Sequence, residues 1–285
     1  MKRRKLYIIL AAILFLLAAG FTAYPMAANY INDRHQSLIQ TDYSTAIKKL
    51  DNTEITAARQ AAQDYNENLK PIRYDRDAVD AASASYEEQL NLTGSGIMGY
   101  VEIPKLDVNL PIYHGTEETV LQKGVGHLIG SSLPVGGAGT HSVITGHSGV
   151  AGKRLFSELE QLAPGDVFYL RVLDETLAYE VVECNTVLPY ETDLLLPDAE
   201  KDLCTLITCV PFGVNSHRLL VRGSRIPYQA STEKVTTVVY TPAKSTWREQ
   251  YEKSLALGGA AALGVVAAGL LVSFFRKKRR KRHEA

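Results

Sequence analysis

The sequence predicts a mainly β protein, a barrel or a sandwich, tied to a membrane by apolar segments near both ends. Three observations predict it. Short β-rich runs punctuated by Gly, Pro and Asn follow one another from Gly94 to Ile226. An apolar run at 6–23 stands directly behind the bases Lys2, Arg3, Arg4 and Lys5. A second apolar run at 255–275 carries no charge and precedes RKKRRKR.

The elements follow in chain order. Residues 1–26 form a signal-anchor or transmembrane segment, the rival reading being the apolar region of a cleaved signal peptide. Residues 27–93 are polar and Ala-rich with helical spacing, as in AIKKL and AARQAAQDY, and Pro71 breaks them. They read as helices and a loop outside the core. Residues 94–226 hold the strand-like runs GYVEIPKL, VNLPIYHG, HSVITGH, DVFYLRV, LAYEVVECNTVLP, LCTLITC and HRLLVRGSRI. Helical patterns within this span are confined to TEETVLQKG and KRLFSELEQL. A Thr/Ser/Lys-rich linker occupies 227–253, a transmembrane helix 254–275 and a basic tail 276–285. Positive flanks stay in the cytoplasm, so both termini are expected inside and the domain between them outside. No Leu-Pro-x-Thr-Gly precedes the last apolar run, which argues against its being a wall-sorting signal; LPVGG (133–137) and LPDAE (196–200) lie far upstream.

The formal charge of zero conceals an asymmetry. Eleven of the 31 bases sit in the two terminal clusters, leaving twenty bases against thirty acids in 6–275. No nucleic-acid partner is expected of such a surface, since phosphate binding needs clustered positive charge. Cys184, Cys204 and Cys209 are too few for a disulfide scaffold, and at least one is free within the chain. Nothing in the His and Cys spacing suggests a metal site, and no cofactor is expected.

The chemistry concentrates in TLITCVPFGVNSHRLLVRG (205–223). TLITC and HRLLVRG read as strands, and 210–217, with Pro211, Gly213 and Asn215, as the loop that reverses the chain between them. Such a hairpin sets Cys209 beside Arg218. Period-two alternation puts Cys204 on the opposite face from Cys209, where it reads as a small core residue. A thiolate is the nucleophilic form of cysteine, and with an ordinary pKa of about 8.5 only a few per cent of a free thiol is ionised near neutrality. Arg218 can favour the anion, or donate to the oxyanion formed when a carbonyl is attacked. Guanidinium cannot accept a proton, so a shuttle must come from elsewhere. His147 fits: it follows the strand-like HSVIT, between Gly146 and Gly149, which let backbone approach a site closely. His35, His114, His127, His141, His217 and His283 carry no such context, and His217 should point away from Arg218.

These residues closely resemble the sortases, the Gram-positive surface transpeptidases. The resemblance rests on TLITC (205–209), HRLLVRG (217–223), TGH (145–147), GIMGYVEIP (96–104) and GVGHLIGSSLPVGG (124–137). It implies a closed eight-stranded β-barrel with short helices, preceded by a helical segment and flanked by two transmembrane helices. It also implies Cys209 as nucleophile, His147 as general acid and base, and Arg218 as stabiliser of substrate or oxyanion. Such enzymes cleave a Leu-Pro-x-Thr-Gly-like signal between Thr and Gly through a thioester, then pass the acyl group to an amine.

The second apolar segment, the long stretch before the barrel and the wording of SLPVGG and HRLLVRG resemble class C, the pilus-building sortases. The resemblance then implies pilins or surface proteins with sorting signals as partners, a pilin lysine as acceptor, and membrane lipid around the anchors. A sortase using a peptidoglycan-precursor amine, a non-catalytic membrane scaffold on the same shell, and simple hydrolysis of the thioester are the alternatives. Class C members usually cover the cleft with an Asp-Pro-aromatic lid; this chain offers instead KPIRYDRDA (70–78), where Tyr74 or Asp75 would fill the role. Ser148 stands where a base usually follows Gly-His, and CVPFG replaces the commoner CTPYG.

Overall fold

Period-two alternation along β7 (Asp202–Val210) divides its side chains between two apolar environments. Cys204 and Leu206 point into the main core, whereas Ile207 joins a smaller cluster with Val143, Leu195 and Leu220 on the other face. A computed structural model describes residues 2–69, 85–150 and 153–228, with positions 258, 259, 264 and 269. The chain divides into two compact units, Met1–Ala27 with Ala243–Ala285, and Ala28–Pro242.

The second unit is built on eight strands: β1 (Ile97–Ile103), β2 (Val108–His114), β3 (Val125–His127), β4 (Thr140–Thr145), β5 (Val167–Val172), β6 (Glu175–Val187), β7 and β8 (His217–Ile226). They close into a barrel in the order β1-β2-β3-β4-β7-β8-β6-β5. The pairs β2/β3 and β4/β7 are parallel and the others antiparallel. The barrel is therefore one of the two all-β forms expected from the strand-like runs. β3 escaped the pattern reading because three residues show too little alternation to register. TEETVLQKG forms a single short helix, α3 (Glu118–Leu121). KRLFSELEQL forms turns and a 3-10 segment, Leu159–Gln161, rather than an α-helix. The backbone N–H of Phe156 goes to the carbonyl of His147 (3.1 Å), which takes it out of any helical ladder.

Two long helices precede the strands, α1 (Lys2–Ile47) and α2 (Asn52–Asn68). Asp51 caps α2: its carboxylate accepts from Glu54 N (2.7 Å), and Asp51 N donates back to the Glu54 carboxylate (3.0 Å). This stretch does not lie outside the core as expected. Tyr43, Ile47, Ile55, Ala62, Tyr86 and Leu90 are buried within the main apolar cluster. Tyr43 meets Tyr100 edge to face at 5.4 Å and donates its hydroxyl to Met98 O (3.0 Å). Asn66 clamps the backbone of Leu133 through both its N–H and its carbonyl. A residue pattern of amphipathic helices tells which face is apolar, not what covers it.

Among the described residues no helix is long and apolar enough to cross a membrane. The 6–23 run lies on α1, with its side chains at 6, 10, 18, 19 and 21–23 outside the described set, and 255–275 lies almost wholly outside it. The expected pair of membrane-spanning helices is therefore not among the elements shown.

Two buried imidazoles make the fold sensitive to acid. His127 has Nδ1 2.9 Å from the Tyr86 hydroxyl and Nε2 2.8 Å from Ser132 O. His141 lies between Leu196 O (3.0 Å) and the Thr205 hydroxyl (2.7 Å). Burial pushes both down to about 4, against about 6.5 in an unfolded chain. In that window the unfolded state binds more protons, so stability is fully present above about pH 6.5 and falls as the pH drops towards 4. Chemical denaturation followed from pH 7 to about 4.5 should show a loss on the order of 2 to 3 kcal/mol per histidine; a flat profile would contradict these assignments.

Candidate active site

Cys209, His147 and Arg218 come together at one end of the barrel. In the β7/β8 ladder Cys209 is the direct partner of Arg218, so the two side chains share a face. They lie on the outer face of the barrel, in step with Ile207 and Leu220 of the smaller apolar cluster. Asn215 and His217 carbonyls accept from Nη1 of Arg218 at 3.1 and 3.0 Å, which anchors the guanidinium beside the loop at 211–216.

Parallel pairing brings His147 alongside. Thr145 is level with Ile207 in the β4/β7 ladder, so two further residues along each strand bring His147 level with Cys209. Beyond the last pair the two chains are laced by three bonds. Gly146 N donates to Ile207 O (3.0 Å), the Thr208 hydroxyl to Gly146 O (2.8 Å), and the Ser148 hydroxyl to Cys209 O (2.6 Å). Ser148, which stands where a basic residue is usual, thus ties the segment of His147 to the end of β7. The glycines flanking His147 do allow close approach. A Cβ on Gly146 would sit 2.8 Å from the Phe156 ring, and one on Gly149, at φ +78, would sit 2.8 Å from the Phe212 ring. The Phe of CVPFG therefore packs against the loop that follows His147.

His147 Nε2 lies 3.1 Å from Oε2 of Glu118, a residue the sequence analysis read only as part of a helical insertion. A hydrogen bond from Gln122 (2.6 Å) and the adjacent His147 hold the Glu118 carboxyl below its ordinary range. Thr208 and Glu118 had no signal in residue type or spacing, because their partners lie far off in sequence, and Ser148 was marked only as a departure from the usual basic residue. Tyr74 and Asp75 fall outside the described residues.

The other thiols differ. Cys204 is fully buried in the core, and burial with Asp202 nearby raises its thiol well above the ordinary value. Cys184 is exposed on β6, its thiol raised by partial desolvation and by Asp166 and Glu183. All three cysteines are free, so Cys184 and Cys204 do not pair.

Residues 101–226 match the family model described as Sortase domain. A sortase C from Streptococcus pneumoniae, whose crystal structure was described with respect to catalysis and pilin substrate specificity, is 42% identical. It superposes with a TM-score of 0.60 over 67% of this chain and 98% of that one. The chain belongs to the sortase family. Sortase C1 of Streptococcus agalactiae is 40% identical, with a TM-score of 0.63 over 67% of this sortase and 99% of that chain. Sortase A of Bacillus anthracis is 26% identical over 81% of this sortase and 99% of its own length. Sortases are cysteine transpeptidases that act on Leu-Pro-x-Thr-Gly-type substrates, and the structural neighbours named here are of the pilus-related class C.

Alkylation tests the three thiol environments. Mild iodoacetamide near neutral pH should modify Cys209 first, Cys184 more slowly and Cys204 only after denaturation. Replacing Arg218 with Ala should slow labelling at Cys209 several-fold without changing Cys184; equal rates at Cys209 with and without the guanidinium would contradict its electrostatic role.

Proposed function

We propose that this sortase polymerises pilins, with Cys209 as nucleophile, His147 as proton shuttle and Arg218 as oxyanion or substrate stabiliser. The observation that carries the reading is the pairing of Cys209 with Arg218, both half-buried on the outer face of the barrel, with His147 laced level with them. The thiolate attacks the Thr carbonyl of a Leu-Pro-x-Thr-Gly-like signal, and negative charge moves to the carbonyl oxygen beside Arg218. As the C–N bond breaks, His147 gives its proton to the departing Gly amine, leaving a thioester on Cys209. A pilin lysine amine then attacks the same carbon. His147 takes the proton lost from that nitrogen, the C–S bond breaks, and an isopeptide bond remains.

The membrane attachment belongs to the same reading. Ile13, Leu14, Phe15, Leu16 and Leu17 cover more than a full helical turn of α1, and each is about half exposed or more. Apolar exposure all round a helix suits hydrocarbon on every side. With 255–275 as a second anchor and both basic ends in the cytoplasm, the catalytic domain would face the cell exterior.

Full-length protein in detergent micelles, incubated with pilin bearing a sorting signal, should yield a ladder of covalent polymers. Cys209→Ala and Arg218→Ala should each lower the rate by at least about a hundredfold. Transfer to a peptidoglycan-type amine as a single product, with no ladder, would favour cell-wall anchoring. Turnover without any amine would indicate hydrolysis, and undiminished assembly by Cys209→Ala would indicate a scaffold.

A further inference from the structure

Glu118 is the nearest carboxylate partner of His147 among the described residues, and α3 presents it to the outward nitrogen of the imidazole. We propose that Glu118 is a positioning residue: it holds the proton of neutral His147 on Nε2, which leaves Nδ1 as the nitrogen that exchanges protons during acyl transfer. This rests on His147 being the shuttle proposed above. The two ring nitrogens are not equivalent, and the hydrogen bond made by one decides the chemistry left to the other.

The carboxylate is itself held in place. Its Oε1 accepts from Gln122 Nε2 at 2.6 Å, one helical turn along, while Oε2 faces the imidazole at 3.1 Å. Two further residues fix the end of α3. Lys153, from the loop after His147, donates to Gln122 O, and the nearly buried Gln36 of α1 donates to Lys123 O at 2.6 Å. His147 is fixed from its own side, since its carbonyl accepts from Phe156 N. Both ends of the Glu118–His147 contact are therefore tied to residues outside the pair.

The Glu118 side chain is 68% exposed. A pair so open to solvent contributes little to folding, so its removal leaves the barrel intact and isolates the effect on the imidazole. Hydrogen-bond partners behind an active-site histidine act through orientation and tautomer, and their loss lowers turnover without weakening substrate binding.

The test uses the full chain in micelles with a Leu-Pro-x-Thr-Gly peptide, measuring acylation of Cys209, and nitrogen NMR of labelled histidine at alkaline pH. Glu118→Ala should lower kcat about tenfold with KM within about twofold, and the His147 proton should spread over both nitrogens. Glu118→Gln keeps an oxygen that accepts from Nε2–H, so it should retain the Nε2 tautomer and recover to within about threefold of the parent rate. Wild-type kcat in Glu118→Ala, an unchanged tautomer, or a loss confined to KM would overturn the assignment while leaving the shuttle in place. Full activity of His147→Ala would instead remove the shuttle itself.

Discussion

The parallel pairing of β4 with β7 is the constraint on which the site depends. Parallel strands point the same way, so their C-terminal ends emerge at the same end of the barrel. His147 follows one and Cys209 ends the other. The hydroxyls of Thr208 and Ser148 then carry the pairing past the last ladder position, where a loop would otherwise diverge. β8 completes the arrangement from the opposite side, since its antiparallel register sets Arg218 across from the thiol.

The two faces of β7 separate stability from chemistry. Inward, Cys204 and Leu206 fill the barrel with Val221 and Phe168. Outward, Ile207 and Cys209 meet the exterior cluster and the site. A shift of one residue in register would exchange these sets, turning Cys209 inward and Cys204 outward. Of the two helices that precede the strands, the first supports the same end of the molecule as the site, while α2 meets Leu133 and Asp174 at the other. α1 reaches the site end through Gln36 and the Asn109–Gln40 contact, and its other buried residues close the main core.

The strands and the hairpin from Thr205 to Gly223 were legible because their signals are local: alternation, β-branched residues and a loop of Pro, Gly and Asn. That hairpin alone placed Cys209 against Arg218 and turned Cys204 inward. His147 was legible as a histidine at a strand end, and the family resemblance supplied its partner. The burial of Tyr43, Ile47 and Tyr86 in the barrel's own core was not legible, because helical spacing marks an apolar stripe without naming its cover. Glu118 was equally silent. Its value comes from a contact across 29 residues that no periodicity records.

The most direct measurement is the mass of the full-length chain after brief reaction with a Leu-Pro-x-Thr-Gly peptide, followed by peptide mapping. The account predicts a thioester adduct carrying the Leu-Pro-x-Thr fragment on Cys209, with Cys184 and Cys204 unmodified. An adduct on another residue, or turnover that persists in Cys209→Ala, would contradict it.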